Sequence, residues 1–278
     1  MGRPFKNTRP VIQTMRHIIF AGLLLAVLGC TQKDPTAILM DAQWVDLTYD
    51  FEENTIYWPT NTPFSKDTAF YGITDKGYFY ASFIYRAEEH GGTHFDAPLH
   101  FGHPDSPTVE QIPLNQLMGP GVVVDVSEKA LSDRDYLVSV SDLREWESRH
   151  GAIPEQSIIL LRTGYGRFWP DPLAYSGTDL TGEEAVAHLR FPGLDPDAAQ
   201  WLVDNRNIDA IGLDTPSIDR GQSEYFKAHR ILCDAEITIY ENVANLEKLP
   251  ESGSFVVALP MKIKGGSGAP LRIIAMVP

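Results

Sequence analysis

Short runs of β-branched and aliphatic residues alternate with helical patterns along most of the chain. Five runs bounded by turn residues predict strands, at residues 121–126, 157–161, 208–213, 236–240 and 254–259. Three segments with helical spacing lie among them, at residues 140–150, 197–205 and 223–234. This alternation predicts an α/β domain with a mixed sheet and flanking helices. No repeat and no long linker interrupts it, so we expect one domain over residues 37–278.

The first 29 residues have the pattern of a signal peptide. Four basic residues precede an apolar run at residues 18–28, and Gly29 and Cys30 follow it. Eleven apolar residues are too few to cross a bilayer, which needs about 20, but they suit the hydrophobic region of a signal peptide. A buried N-terminal helix is the alternative interpretation of this run.

The junction at residues 27–30 resembles the lipobox of bacterial lipoproteins. The resemblance implies cleavage before Cys30, a lipid on its sulfur and a polar tether over residues 30–36. Thr31 follows the cysteine where an acidic residue would indicate inner-membrane retention, so the resemblance implies the outer membrane, facing the periplasm. Contact with the membrane is then expected only through this lipid anchor.

The charge of the chain excludes some partners. Removal of residues 1–29 would take away four of 23 basic residues and no acidic one, and the remaining 19 basic and 37 acidic residues give a formal net charge of −18. Such a surface repels nucleic acid and anionic headgroups, so we expect no nucleic-acid partner. Cys233 is the only cysteine besides Cys30. We therefore expect no intramolecular disulfide and a core position for Cys233.

Three of the eight histidines and one aspartate lie within eleven residues, in the segment HGGTHFDAPLH at positions 90–100. A helix is disfavoured because each of the two glycines would cost about 1 kcal/mol in a helix interior. In an extended segment His94 and Asp96 lie on the same face. Pro98 then turns the chain so that His100 returns towards them, and the glycines allow His90 to do the same.

Imidazole nitrogen and carboxylate oxygen together suit zinc, manganese or iron better than calcium or magnesium. The cluster therefore predicts a divalent metal site. The alternative is a loop of hydrogen-bonded polar residues, which is the more common situation for a single histidine. His229 and Glu241, in a helical and a strand pattern further along, could complete a second half of the site.

Two other segments have part of the pattern of a functional site. Ser217 could be a nucleophile, but its surroundings lack the Gly-x-Ser-x-Gly turn of serine hydrolases. The glycine-rich segment 264–270 lacks the Lys-Ser/Thr and the helix of a phosphate-binding loop, so a mobile turn is expected there.

The segment at 90–100 fits the HxGTHxDxPxH signature of the bacterial cyclase, or kynurenine formamidase-like, family of metal-dependent hydrolases. Other segments also resemble that family, so the resemblance covers nearly all of the mature chain: residues 46–48, 58–59, 161–165, 212–219, 229 and 240–246. It implies a swivelling β/β/α domain that assembles as a homodimer or homotetramer.

The resemblance also implies a site with two divalent ions, usually Zn²⁺ and in some relatives Mn²⁺. One ion would be held by His90, His94 and Asp96. The second would be held by His229, with Asp96 and Glu241 bridging both. Further roles implied are general acid/base catalysis for His100 and contact with an aromatic substrate for Trp58 and Ser217.

These features predict a metal-dependent amidohydrolase. The first interpretation is hydrolysis of an arylformamide such as N-formylkynurenine, an intermediate of tryptophan catabolism, by a metal-activated hydroxide. The second is opening of a cyclic amide, as in the isatin hydrolases of the same family. A third, from a different class, is an envelope lipoprotein that binds metal without catalysis. A free acid/base group such as His100 argues against this third interpretation, because a pure binding site does not need one.

Overall fold

The computed structural model describes residues 1–2 and 34–278. Apart from residues 1–2, the predicted signal peptide lies outside the described residues, as do Cys30 and most of the tether. The chain divides into two compact units, Met1–Met40 and Asp41–Pro278, and the second contains all of the strands and all of the candidate site residues. Among the described residues, no helix is long and apolar enough to cross a membrane.

Twelve strands are found in the described residues. They are β1 (Gln43–Asp46), β2 (Ser65–Ile73), β3 (Phe79–Arg86), β4 (His94–Asp96), β5 (Met118–Asp125), β6 (Leu137–Val138), β7 (Ser157–Arg162), β8 (Gly193–Leu194), β9 (Ile208–Leu213), β10 (Thr238–Glu241), β11 (Ser254–Pro260) and β12 (Gly268–Val277).

Seven α-helices accompany the strands in the same part of the chain. They are α1 (Pro35–Asp41), α2 (Ser127–Ser132), α3 (Val140–His150), α4 (Pro172–Ser176), α5 (Glu183–Val186), α6 (Pro196–Asn205) and α7 (Lys227–Asp234).

Eight strands form one mixed sheet, in the order β1-β12-β11-β5-β7-β9-β10-β4. The neighbours β5, β7, β9 and β10 run parallel, and the other pairs are antiparallel. β4 pairs with β10 on one side and with β12 on the other, so the sheet returns to itself and is barrel-like. The expected mixed α/β domain is confirmed. The closure of its sheet through β4 was not predicted from the sequence.

Strand β7 shows how this sheet is stabilised, because apolar residues cover both of its faces. Ile158 and Leu160 point into the core enclosed by the sheet, together with Phe95. Ile159 and Leu161 point outward to a second core, where helices α3, α6 and α7 pack. Successive side chains of a strand point to opposite faces, so the sequence Ile-Ile-Leu-Leu supplies both cores at once.

All five predicted strands and all three predicted helices are present, with some shifted ends. The helix expected from residue 223 begins only at Lys227. Phe226 before it has a left-handed backbone (φ 44°), which a helix does not tolerate. The Asp219 carboxylate then accepts hydrogen bonds from the backbone N–H groups of Ala228 and His229, and so fixes the start of α7.

The expectation of a mobile turn over residues 264–270 is wrong in its second half. Residues Gly268–Pro270 begin β12 and pair with β4. Their backbone groups are therefore part of the sheet that closes around the core. The turn itself is confined to the residues before Gly268.

Strands β2 and β3 form a separate two-stranded sheet, the hairpin arm, at residues 65–86. All but one residue of each strand is exposed. The exposed side chains include many large apolar ones: Phe70, Tyr71, Ile73, Phe79, Tyr80, Phe83, Ile84 and Tyr85. An isolated two-stranded hairpin is only marginally stable in water, and a large exposed apolar patch is typical of an interaction surface. We therefore expect the arm to pack against another surface.

Candidate metal-dependent active site

Strands β4 and β10 hold the centre of the site. In their antiparallel register His94 lies opposite Glu241. Phe95 points into the enclosed core, so His94 and Asp96 on either side of it project outward. On that outer side, α7 presents His229. The prediction that His94 and Asp96 share a face is confirmed.

The segments flanking β4 bring two further histidines to the same place. Gly92 has a positive φ of 58°, which lets the chain reverse between His90 and His94. After β4, a 3₁₀ turn at Pro98–His100 returns the chain. The His90 and His100 rings then stack, with their centroids 3.6 Å apart.

The five side chains predicted to bind metal converge, and each has a polar atom within 3.5 Å of at least one other. Asp96 Oδ1 lies 2.8 Å from His90 Nδ1 and 3.3 Å from His94 Nε2. Asp96 Oδ2 lies 3.5 Å from His229 Nε2. Glu241 lies between two histidines, with Oε2 3.3 Å from His94 Nε2 and Oε1 3.1 Å from His229 Nε2. Asp96 and Glu241 thus each face more than one histidine.

In His94 and His229, the outer ring nitrogen is Nδ1, which points away from Asp96 and Glu241. In both rings this nitrogen contacts a group that can only accept a hydrogen bond. His94 Nδ1 lies 2.9 Å from the carbonyl oxygen of Gly92. His229 Nδ1 lies 2.8 Å from the carboxylate of Asp219. Both outer nitrogens therefore carry the hydrogen, and in the neutral ring the inner Nε2 presents a lone pair to the carboxylates. Two acceptors facing each other require a positive charge between them, which a proton or a metal ion supplies.

The raised pKa values of His94 and His229 also indicate that the cluster favours a positive charge. Burial would lower the pKa of His94, but the charges and hydrogen bonds of Asp96 and Glu241 outweigh burial and raise it to about 10. The pKa of His229 is likewise raised well above its ordinary value, against the effect of burial. His100 behaves differently, because burial dominates there and lowers its pKa to about 3. His100 is therefore a neutral imidazole at neutral pH.

The donors in the cluster fit a metal centre. Asp96 Oδ2 is buried and has no hydrogen-bond partner among the described residues. Two triads have ligand atoms within 4.8 Å of one another: His90, His94 and Asp96, and Asp96, His100 and His229. Both triads contain Asp96, and each is a group of side chains that could hold a metal ion. Nitrogen and carboxylate donors suit zinc or manganese.

A cavity of about 250 Å³ opens onto this cluster. Four aromatic side chains form part of its walls: Tyr57, Trp58, Phe101 and Phe226. Ser217 also lies in the wall, so both residues predicted to contact substrate line the same cavity as the histidines. Trp58 and Phe226 meet edge to face, with their centroids 6.1 Å apart.

Asp219, which both starts α7 and binds His229, is a site residue that the sequence does not reveal. The two residues are ten positions apart, and no periodicity connects a loop carboxylate with a histidine of the next helix. Cys233 is buried as predicted, and burial raises the pKa of its thiol to about 12. Such a thiol is a core residue rather than a nucleophile.

A barrel-like α/β domain that gathers three histidines and two carboxylates at the base of an aromatic cavity has the features of a metal-dependent hydrolase. The Cyclase family model matches residues 45–220. The chain belongs to the Cyclase family.

Two curated relatives carry names of enzymes. The isatin hydrolase of Roseibium aggregatum is 32% identical over 198 residues, which cover 68% of this chain and 72% of that protein. The kynurenine formamidase of Bacillus cereus is 29% identical over 238 residues, covering 84% of this chain and 97% of the relative.

Solved structures agree with these relatives. Isatin hydrolase A from Labrenzia aggregata, bound to benzyl benzoate, superposes with a TM-score of 0.78 at 32% identity, over 87% of this chain and 97% of that one. A protein described as a potential metal-dependent hydrolase with cyclase activity gives a TM-score of 0.61 at 25% identity, over 85% of this chain and 98% of the other. The chain is therefore an enzyme, a metal-dependent hydrolase, and the interpretation as a non-catalytic binding protein is not retained.

Proposed function

We propose that this protein hydrolyses the C–N bond of a small aromatic amide at the cluster around Asp96. The observation that carries the proposal is the set of inner histidine nitrogens that face two buried carboxylates beneath an aromatic cavity. His90, His94 and Asp96 would hold one divalent ion. His229 would hold a second, and Asp96 and Glu241 would contact both.

Zinc or manganese ions bound in this way supply charge that polarises a carbonyl group and makes water a nucleophile near neutral pH. The protein's own groups do the rest. Asp219 and the Gly92 carbonyl keep the histidine rings turned towards the carboxylates. Burial of the cluster at the base of the cavity keeps bulk solvent away from it.

His100 is the proposed general acid/base. Its ring stacks on His90, and one of its nitrogens lies within 4.8 Å of ligand atoms of Asp96 and His229. A neutral imidazole has one ring nitrogen with a lone pair, and this nitrogen can accept a proton from the attacking water. The same proton then passes to the nitrogen that leaves the carbonyl carbon, which restores the neutral ring and balances the reaction.

Replacement of His100 by alanine tests this role. The variant is expected to keep its metal and to lose activity by about 10²–10⁴-fold, the usual contribution of a general acid/base. His103→Ala is the matched control, because the side chain of His103 is 76% exposed and lies outside both triads. Full activity in His100→Ala with intact metal content would contradict the proposal.

Two kinds of substrate fit the proposal. An open-chain arylformamide is supported by the similarity to kynurenine formamidases. A cyclic amide fused to an aromatic ring is supported by the similarity to isatin hydrolases, which extends to the superposed structures. Initial rates with N-formylkynurenine and isatin, measured on the same preparation, decide between them. Hydrolysis of neither, by the metal-loaded protein, would contradict the proposed substrate class.

We infer that the protein assembles as a homodimer or higher homo-oligomer through the hairpin arm. The arm exposes apolar side chains on a two-stranded sheet. A second copy of the chain carries the same surface, and most oligomers of soluble proteins are built from identical chains. Tyr71 and Ile84 are 67% and 61% exposed, and a Tyr71→Ser, Ile84→Ser double variant is expected to be monomeric in sedimentation experiments. Leu173→Ser, at an exposed apolar residue of α4 outside the arm, is the control. A monomeric wild type would contradict the inference.

We also propose that the chain is anchored by a lipid on Cys30 in the outer membrane, facing the periplasm. The support is the basic, apolar and Gly-Cys pattern of residues 1–30. Expressed in a bacterium with the lipoprotein pathway, the wild type is expected in the detergent phase of a phase-separation assay and Cys30→Ala in the aqueous phase. Cys233→Ala controls for loss of a cysteine. Equal partitioning of wild type and Cys30→Ala would exclude the anchor.

A further inference from the structure

Behind His90 lies a chain of polar contacts that the family assignment does not explain. Ser267, in the turn before β12, places its Oγ 3.0 Å from His90 Nε2. The same hydroxyl lies 2.7 Å from Glu89 Oε2. Glu89 Oε2 also accepts the backbone N–H groups of Ser267, at 3.0 Å, and Gly268, at 3.2 Å. Glu89 is thus held by the turn.

The Ser267 hydroxyl donates its only hydrogen to Glu89. A carboxylate can only accept, so the contact at 2.7 Å requires Ser267 to donate to Glu89. A hydroxyl has a single hydrogen, and towards His90 its oxygen can then only accept. His90 Nε2 must carry the hydrogen, and in the neutral ring Nδ1 is left with its lone pair.

That lone pair points at Asp96, in the proposed metal site. His90 Nδ1 lies 2.8 Å from Asp96 Oδ1. The opposite tautomer would place a hydrogen on Nδ1, satisfy Asp96 by a hydrogen bond and remove His90 as a ligand. The contact of His90 Nε2 with Ser267 therefore determines whether Nδ1 can bind metal or instead donates a hydrogen bond to Asp96.

We propose that Glu89 and Ser267 are positioning residues that hold His90 in the tautomer able to bind metal. The inference rests on the proposed metal centre and adds two residues to it. Gly268 supports the arrangement, because a Cβ at this position would overlap the His90 ring. The turn must therefore approach His90 closely, and the glycine-rich sequence of residues 264–268 makes that approach possible.

The test is metal affinity, measured by competition with a chromophoric chelator on the full chain. Ser267→Ala is expected to bind Zn²⁺ about 10–100-fold more weakly than wild type, the usual effect of losing a group that orients a metal ligand. Ser267→Thr retains the hydroxyl and is expected to stay close to wild type. Ser148→Ala, at an exposed serine of α3, controls for loss of a hydroxyl elsewhere. Glu89→Gln is expected to weaken binding in the same direction as Ser267→Ala.

A spectroscopic readout separates tautomer control from simple packing. With ¹⁵N-labelled histidine, zinc-loaded wild type is expected to show His90 with hydrogen on Nε2, and this signal should shift or broaden in Ser267→Ala. Wild-type affinity and an unchanged His90 signal in Ser267→Ala would overturn the inference while leaving the proposed function intact. A wild type that binds zinc but hydrolyses no amide would overturn the proposed function and leave the affinity test valid. A wild type that binds no metal would overturn both.

Discussion

Asp96 is the residue on which the site converges, since it faces His90, His94 and His229 from a buried position. The sequence motif predicted its place because a period-two segment put it on the face of His94. The motif could not indicate Asp219, Glu89 or Ser267. Their contacts depend on how distant segments of the chain meet, which short spacings do not encode.

Proton release on metal binding is the first prediction at this scale. The pKa of His94 is about 10 in the metal-free fold, above the ordinary 6.5. Its proton therefore stabilises the metal-free fold fully below pH 6.5, and this contribution is lost as the pH rises through about 10. A metal ion must displace the proton between these limits, so affinity should rise with pH.

Calorimetric titration with zinc, in two buffers of different ionisation enthalpy at about pH 7.5, measures this release. At least one proton per protein is expected to leave, because His94 and His229 both have raised pKa values. Identical heats in the two buffers would mean that no proton leaves, and would contradict the assigned protonation of the cluster.

Asp219→Asn is the second prediction. Asp219 binds His229 Nδ1, so its replacement should weaken zinc binding by about 10–100-fold and destabilise the start of α7 by about 1 kcal/mol. Asp197→Asn is the matched control, because Asp197 is an exposed aspartate in the first turn of α6. Competition with a chelator and urea unfolding report the two effects separately, and unchanged zinc affinity in Asp219→Asn would exclude its positioning role.

At the scale of elements, β4, which carries two of the predicted metal ligands, is the strand of the site that apolar runs in the sequence do not reveal. The long apolar strands β5, β7, β9 and β11 were predicted because they are buried runs with clear turns at their ends. β4 has only three residues, and two of them are the polar His94 and Asp96. Its extended conformation is imposed by pairing with β10 and β12 rather than by its own composition.

Leu161→Ala tests the packing of β7. Leu161 is fully buried in the core between the sheet and the helices, so its truncation should lower the free energy of unfolding by about 2–5 kcal/mol. Leu259→Ala, at a position that is 45% exposed, should change it by about 0.5 kcal/mol or less. Urea denaturation of both variants measures the difference. Equal stabilities would contradict the two-core description of the sheet.

At the scale of the whole molecule, the alternation of strands and helices predicted the fold class but not the closure of the sheet. Closure depends on β4 pairing with β12, two segments that lie at least 172 positions apart in the sequence. The sequence patterns likewise did not predict the hairpin arm at residues 65–86. Neither β2 nor β3 is among the five strands predicted from the sequence, and the structure exposes nearly all of their residues.

The metal content of the purified protein, measured by elemental mass spectrometry together with turnover of N-formylkynurenine and isatin, tests the central claim most directly. We expect about two equivalents of zinc or manganese per chain, with activity lost on chelation and regained when metal is returned. Protein prepared with ample metal that contains no transition metal, or that stays fully active after its metal has been removed, would contradict a metal-dependent hydrolase built around Asp96.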